Sequence, residues 1–395
     1  MREMKDSGVE WLGEVPVGWG FDRFGTFFAL RNERVSDEEY PPLSVTMGGV
    51  VSQLSHVAKS DDHANRKLVC KGDFAINSRS DRRNSCGFAS LDGSVSLINT
   101  ICVPRRKIES RYYGYLFDSS QWSDEFYSWG HGIVADLWTT GWNDMKKILL
   151  PVPPLDEQRR IADCLDEKCA EIDRAVSAAE RSIEELSLYR SARLEEAIAK
   201  VSHEAPLEKL KYVLKESKDK SLDGIGEPLS ITIARGVLRS AELSIPNPTS
   251  SLVGAKVVHA GDLVFNKLKA YYGVMYVSPY TGLISPEYAV YQAIDAENTS
   301  LKYLEYVFHT AAVIDEFIIR ISGVADGFRR LYTSDLFDIA VPVPSIEAQR
   351  NIVAELDDLY ASIAESTEAK QAIIADLKAY RQSLIYETVT GKREV

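Results

Sequence analysis

Apolar residues between positions 155 and 199 fall at 161, 165, 172, 176, 179, 183 and 186, in steps of three, four or seven, and the stretch holds neither Gly nor Pro. That spacing predicts one long amphipathic helix with an apolar seam as narrow as that of a coiled coil. A second stretch, from about 346 to 389, has the same character and stops at Gly391, a residue suited to ending a helix. Neither helix can keep its seam from water alone. The two are therefore expected to pair, antiparallel because a globular segment separates them in the chain. Positions 1–154 and 200–345 follow a different rule: short apolar runs such as "LINTICVP", "GDLVFNKL", "VMYVSP" and "YAVYQAI" are broken by Gly, Pro, Asn and Asp. These read as strands and turns, with short helices at 111–128 and 301–321. The predicted class is α+β, with two globular domains alternating with two long helices.

The two halves say nearly the same thing. "PVPPLDEQRRI" at 151–161 returns as "PVPSIEAQRNI" at 342–352, an offset of 191 residues. At that offset Leu165 meets Leu356, Ile172 meets Ile363, Leu186 meets Leu377, and Tyr189-Arg190 meets Tyr380-Arg381. Further forward "DEF" at 124–126 meets "DEF" at 315–317. With small slips, "GDFAIN" at 72–77 answers "GDLVFN" at 261–266, and "PLSVT" at 42–46 answers "PLSIT" at 228–232. The chain is two copies of one unit, which predicts a pseudo-twofold repeat divided as 1–154, 155–199, 200–345 and 346–395. Ser345 and Ala348 stand where the first copy has Pro154 and Glu157.

Composition narrows the function. With 395 residues, 45% hydrophobic and 26% charged, the chain suits two or three soluble domains. It has no apolar run long enough to span a membrane, and "MREMKDSGVEWLGEVP" lacks the basic and apolar regions of a signal peptide, so a cytoplasmic location is expected. Five cysteines with no C-x-x-C pair read as reduced thiols and argue against zinc. The net charge of −12 speaks against a protein that coats nucleic acid indiscriminately, but not against a sequence reader whose basic groups are concentrated in two clefts. All four segments are mildly acidic, so any positive patch must be made by folding.

The pattern "LPVPPLDEQRRIADCLDEKCAEID", then "LSLYRSARLEEAI", the closing "LKAYRQSLIYETVTGKREV" and the opening "SGVEWLGEVPVGW" together resemble the specificity subunits of Type I restriction-modification systems. The resemblance runs the length of the chain and includes domain order. It implies two target-recognition domains, each reading one half of a split asymmetric site in double-stranded DNA. It also implies two conserved helical regions that set the distance between halves and dock two methyltransferase subunits. A motor-nuclease subunit would complete the assembly. No cofactor is implied in this chain; S-adenosylmethionine, ATP and Mg belong to partner subunits. Gln158, Tyr189 and Arg190, with their counterparts Gln349, Tyr380 and Arg381, become candidate docking residues, the alternative being helix capping and helix-to-helix bonding.

Reading a duplex requires side chains that bond base edges, chiefly Arg, Lys, Asn and Gln, and phosphate contacts that set register. The first domain's densest candidate is "NSRSDRRN", offering Asn77, Arg79, Arg82, Arg83 and Asn84 after a strand. The aligned "NKLKAYYG" offers Asn266, Lys267, Lys269, Tyr271 and Tyr272. The alternative is a solvated turn; occurrence of the cluster at the same place in both copies favours function. Asn77 and Asn266 fit both readings, because either can bond backbone after a turn opened by Gly72-Asp73 or Gly261-Asp262. "DGFRRLY" adds Arg329 and Arg330, although its counterpart "ADLWTTGW" carries no basic residue. Asn65-Arg66-Lys67 and Arg235 with Arg239 are weaker candidates, and the six tryptophans read as core or interface residues.

No phosphate loop, H-E-x-x-H motif or amino-methyltransferase tetrad occurs, and the six histidines show no ligand spacing. The chain is expected to bind and orient while its partners catalyse. Two other readings stay open. One is a coiled-coil protein-interaction scaffold with two ligand-binding heads and no role on DNA. The other is a nuclease in which Asp73 and Asp262 hold a metal.

Overall fold

The computed structural model describes residues 2–54, 63, 65–79, 83–133, 138–243, 252–321 and 330–395. The chain divides into two compact units, Met1–Glu180 with Gln371–Val395, and Arg181–Lys370. The long helices Leu155–Ser202 and Ile346–Val389, of 48 and 44 residues, each contribute a piece to both units. The first helix runs past 199, where the sequence pattern ends, because nothing breaks it before the turn at 203–205.

In the first unit an antiparallel sheet has the order Cys86–Phe88, Phe74–Asn77, Asn99–Pro104, Phe28–Arg31. In the second, the order Met275–Val277, Leu263–Phe265, Ala289–Ala293, Leu214–Glu216 repeats it strand for strand. The hairpin Leu43–Thr46 with Gly49–Ser52 is likewise matched by Leu229–Thr232 with Gly236–Arg239. An extra hairpin, Met4–Asp6 with Glu14–Pro16, belongs to the first unit alone. In the second unit the chain arrives instead from the end of the preceding helix.

The first core gathers Phe24, Phe74, Phe117 and Trp122, and then continues into Ile161, Leu165, Ile172 and Val176 of one long helix and Leu384, Ile385 and Val389 of the other. The second joins Phe265, Tyr291, Tyr303 and Phe317 to Leu194, Ile198, Ile352 and Leu356. Each such aliphatic side chain contributes roughly 1.5–3 kcal/mol by leaving water, so the seam residues hold the helices to the heads as well as to each other. Within each unit the helices are antiparallel. Asp173 and Glu180 face Arg381 and Lys378 in the first, and Arg190 and Arg193 face Tyr360 and Glu355 in the second. No helix of the described residues is long and apolar enough to cross a membrane.

Two expected helices are each broken. Ser110–Asp118 and Ser120–Ser128 replace a single 111–128 helix, and Leu301–Phe308 and Ala311–Arg320 replace 301–321. Apolar periodicity runs across both breaks and hides them. Ser119 is extended (φ −69°, ψ 143°), donates to Leu116 O at 2.7 Å and accepts from Trp122 N at 3.3 Å, so one hydroxyl ends a helix and starts the next. Thr310 does the first of these through Val307 O at 2.7 Å.

Gly93 and Gly282 occupy matching strands, and both are needed for close approach. A Cβ on Gly93 would lie 2.5 Å from Pro41 O, and one on Gly282 would lie 2.4 Å from Glu227 O. Gly282→Ala is expected to cost on the order of 1–3 kcal/mol by overpacking, read as a lower urea midpoint. An unchanged midpoint would mean that this backbone approach is loose.

Candidate nucleic-acid interface

Each central strand begins at a turn built the same way. Gly72 and Gly261 have φ of +91° and +97°, a region open to glycine, and the following aspartate accepts from the amide three residues back. Asp73 Oδ2 takes Cys70 N at 2.8 Å and Asp262 Oδ2 takes His259 N at 2.9 Å. The remaining capacity of Asp73 goes to Arg31 at 2.7 and 3.2 Å, a pair that raises the arginine's pKa. Asp262 Oδ1 accepts from Gln292. Both carboxylates hold turns. Among the described residues no group of His, Cys, Asp and Glu is placed to hold a metal ion.

At the other end of the strand stand Asn77 and Asn266, both buried. Asn77 Oδ1 accepts from Arg79 N at 3.1 Å, and Asn266 Oδ1 accepts from Leu268 N and Lys269 N at 3.1 and 3.2 Å. Their amides shape the loops that follow. Asn84 is also structural. At φ +59° it is the one non-glycine residue with positive φ among those described, and its Nδ2 donates to Asp118 O at 3.2 Å.

The loops do not stand alone. Thr140 N donates to Ser78 O, and in the second unit Leu331 N donates to Lys267 O, both at 3.0 Å. Ser78, in the first candidate segment, is thus joined to Thr140, and Lys267, in the second, to Leu331. In the second unit, two candidate segments taken separately in the sequence therefore lie side by side. There Lys269 and Tyr272 are exposed, Tyr271 and Tyr272 lie with ring centroids 4.2 Å apart, and Arg330 is held by Glu287 at 2.7 Å. In the first unit, Arg83 pairs with Asp124 at 2.8 Å and lies over the Tyr127 ring. Arg82 and Arg329 lie outside the described residues.

A groove of about 670 Å³ runs beside the second loop, walled by Thr232, Ala234, Asn266, Lys269, Glu287 and Tyr288. The hairpin turn and the segment 285–288 were not singled out as walls in the sequence. The repeated "PLSVT" and "PLSIT" were the only signal. Beside Lys267 of the second loop, Glu216 accepts from Lys256 Nζ and Thr333 Oγ1, both at 2.7 Å, with Lys267 Nζ at 3.6 Å. Burial alone would raise the Glu216 carboxyl, but the bonds from Lys256 and Thr333 and the nearby lysine charges hold it below the ordinary range. A depressed carboxyl contributes stability above its unfolded pKa and loses it as pH falls through the folded value. Glu216→Gln is expected to remove that part of the acid sensitivity of the second unit. Acid unfolding curves that superimpose would contradict this.

The weaker candidates resolve individually. Arg66 is buried and bonds Ser94, Lys67 donates to Asn99 O at 2.6 Å, and Arg239 lies over the Tyr280 ring. No tryptophan is exposed.

Of the docking candidates, the glutamines lie inside. Gln158 Oε1 accepts from Glu109 N and its amide donates to Pro153 O; Gln349 Oε1 accepts from Ser300 N and its amide donates to Asn298 O and Pro344 O. Glu109 and Ser300 are the N-caps of matching head helices. Each glutamine therefore ties the start of a long helix to its head, and any docking face here is made by neighbours. Tyr113 and Tyr303 reinforce this joint by donating to Pro151 O and Pro342 O. Glu157, which Ala348 replaces in the second copy, accepts from Trp19 Nε1 at 3.0 Å and pairs with Arg2. Those partners belong to the N-terminal segment that the second unit lacks, which accounts for the departure. Tyr189 and Tyr380 are both half exposed.

Comparison with solved structures defines the class of fold. A chain in a structure on complex assembly and conformational transition of a type I R-M system matches with a TM-score of 0.72 and 19% identity, covering 96% of this chain and 99% of that one. The HsdS subunit from Thermoanaerobacter tengcongensis matches with a TM-score of 0.52 and 20% identity, covering 96% and 98%. The chain therefore has an HsdS-like fold. No family model and no curated protein matches it.

Proposed function

We propose that this chain is the DNA-recognition and scaffold subunit of a Type I restriction-modification complex, and is not itself an enzyme. Each head reads one half of a bipartite asymmetric site, in major grooves about one helical turn apart. The long helices dock methyltransferase subunits, which supply S-adenosylmethionine chemistry, and a motor-nuclease partner supplies ATP- and Mg-dependent translocation and cleavage. One observation carries the reading: two matched frames present paired loops joined by the same backbone bond, while the side chains on those loops differ between copies. A constant frame with divergent tips suits two half-sites of unlike sequence. The chain's likeness in fold to HsdS and to a type I R-M chain supports the same conclusion.

The net charge of −12 favours the rival, a protein-interaction scaffold. Titrating the purified chain, together with a methyltransferase subunit, against duplex DNA at rising salt separates them. The DNA reading expects affinity to fall steeply and linearly in log salt. A flat profile, or no binding at low salt, supports the scaffold.

A further inference from the structure

The repeated arginine of the "YR" pair stands against two acids in one unit and is left without an acid in the other. Arg381 lies 3.3 Å from Asp118 Oδ2 and 3.4 Å from Asp173 Oδ1, both in its own unit. At the repeat offset, Arg190 is its counterpart, and the two acids are replaced by His309 and Ala364. Arg190 instead lies with its guanidinium 4.1 Å from the centre of the Tyr360 ring, at an exposed helix position, and no described carboxylate forms an ion pair with it. It opens onto a cleft of about 580 Å³, lined also by Arg235, Tyr276, Lys302 and Glu305. The acids nearby are already engaged. Glu305 takes Lys302 Nζ at 2.7 Å and Val277 N at 2.6 Å, Asp357 takes the Tyr306 hydroxyl, and Glu355 takes Arg193 at 2.6 Å. His309 bonds Gly273 O at 2.8 Å and supplies no negative charge.

We propose that this cleft seats an acidic side chain of a partner polypeptide, whose carboxylate takes the place on Arg190 that Asp118 and Asp173 fill on Arg381. The chain's own first unit is the template for the ligand chemistry. The cleft wall favours a polypeptide over a phosphate backbone: Ile233 lies half exposed beside the Tyr276 and Tyr360 rings, offering apolar contact next to the cation. An Asp or Glu followed by an aliphatic residue fits both features. The proposal rests on the docking role proposed above for the long helices and is independent of DNA binding.

The test uses the full chain and a fluorescein-labelled peptide of alternating glutamate and leucine, with binding followed by anisotropy. Arg190→Ala is expected to weaken binding at least about tenfold, the effect of losing a charge-assisted bond. Ala364→Asp, an exposed helix position, restores an acid in cis and is expected to weaken binding as much. A peptide with glutamine in place of glutamate should bind no better to wild type than the acidic peptide does to Arg190→Ala. The proposal is overturned if the acidic peptide does not bind, if Arg190→Ala leaves binding unchanged, or if inorganic phosphate or a short DNA duplex displaces the peptide.

Discussion

Gln349→Leu is expected to lower the stability of the second unit by about 1–3 kcal/mol, the largest effect of any single polar substitution considered. The side chain is fully buried and makes three hydrogen bonds, to Ser300 N, Asn298 O and Pro344 O. Leucine has similar bulk but takes this partner from all three partly buried backbone groups, at about 1–3 kcal/mol for each that then stays out of water. The N-cap of the helix Leu301–Phe308 loosens at the same time, since Ser300 N is one of those groups. Gln158→Leu breaks two bonds, so a smaller loss is expected in the first unit. Urea unfolding of both variants checks the ranking. A Gln349→Leu midpoint at the wild-type value would mean that the junction does not depend on this amide.

The second large effect concerns DNA. Lys269→Ala combined with Arg330→Ala is expected to weaken binding to a full bipartite site by about 1–3 kcal/mol for each side chain that reads a base edge. A side chain that meets only phosphate would instead lower the salt slope by about one. The free chain holds Arg330 against Glu287 at 2.7 Å, and Arg83 against Asp124 at 2.8 Å. On the proposed reading DNA displaces those acids, so Glu287→Ala is expected to tighten binding a few-fold. If the double variant binds as wild type does and keeps the same salt slope, the paired-loop surface of the second unit is not the reading surface.

Much of the fold was legible. The seam spacing gave both long helices, and the offset of 191 gave the repeat, because each signal is local or a comparison of the chain with itself. The "GD" turns followed from glycine's conformational freedom and the short reach of aspartate. The breaks at Ser119 and Thr310 were hidden, since apolar periodicity passes over a residue that acts through one hydroxyl. The site was less legible. That residues 267 and 331 meet is a long-range fact, set by how the sheet folds back, and no spacing announces it. Nor could an inward role for Gln158 and Gln349 be told from an outward one, because a polar residue at a helix start serves either. The difference between Arg190 and Arg381 was written in the sequence at positions 309 and 364. It acquired meaning only once Asp118 and Asp173 were found on Arg381.

Acidic overall charge and DNA reading are compatible if positive groups act only in small surfaces and are held by acids until DNA arrives. The ion pairs on Arg83 and Arg330 have that character.

The most direct test of the account is sequencing of host DNA for methylated adenine, with the gene intact, deleted, or carrying a foreign head in place of residues 1–154. The account predicts a split motif that disappears on deletion and changes in one half only on exchange. Methylation that is indifferent to deletion, or an exchange that alters both halves together, would contradict it.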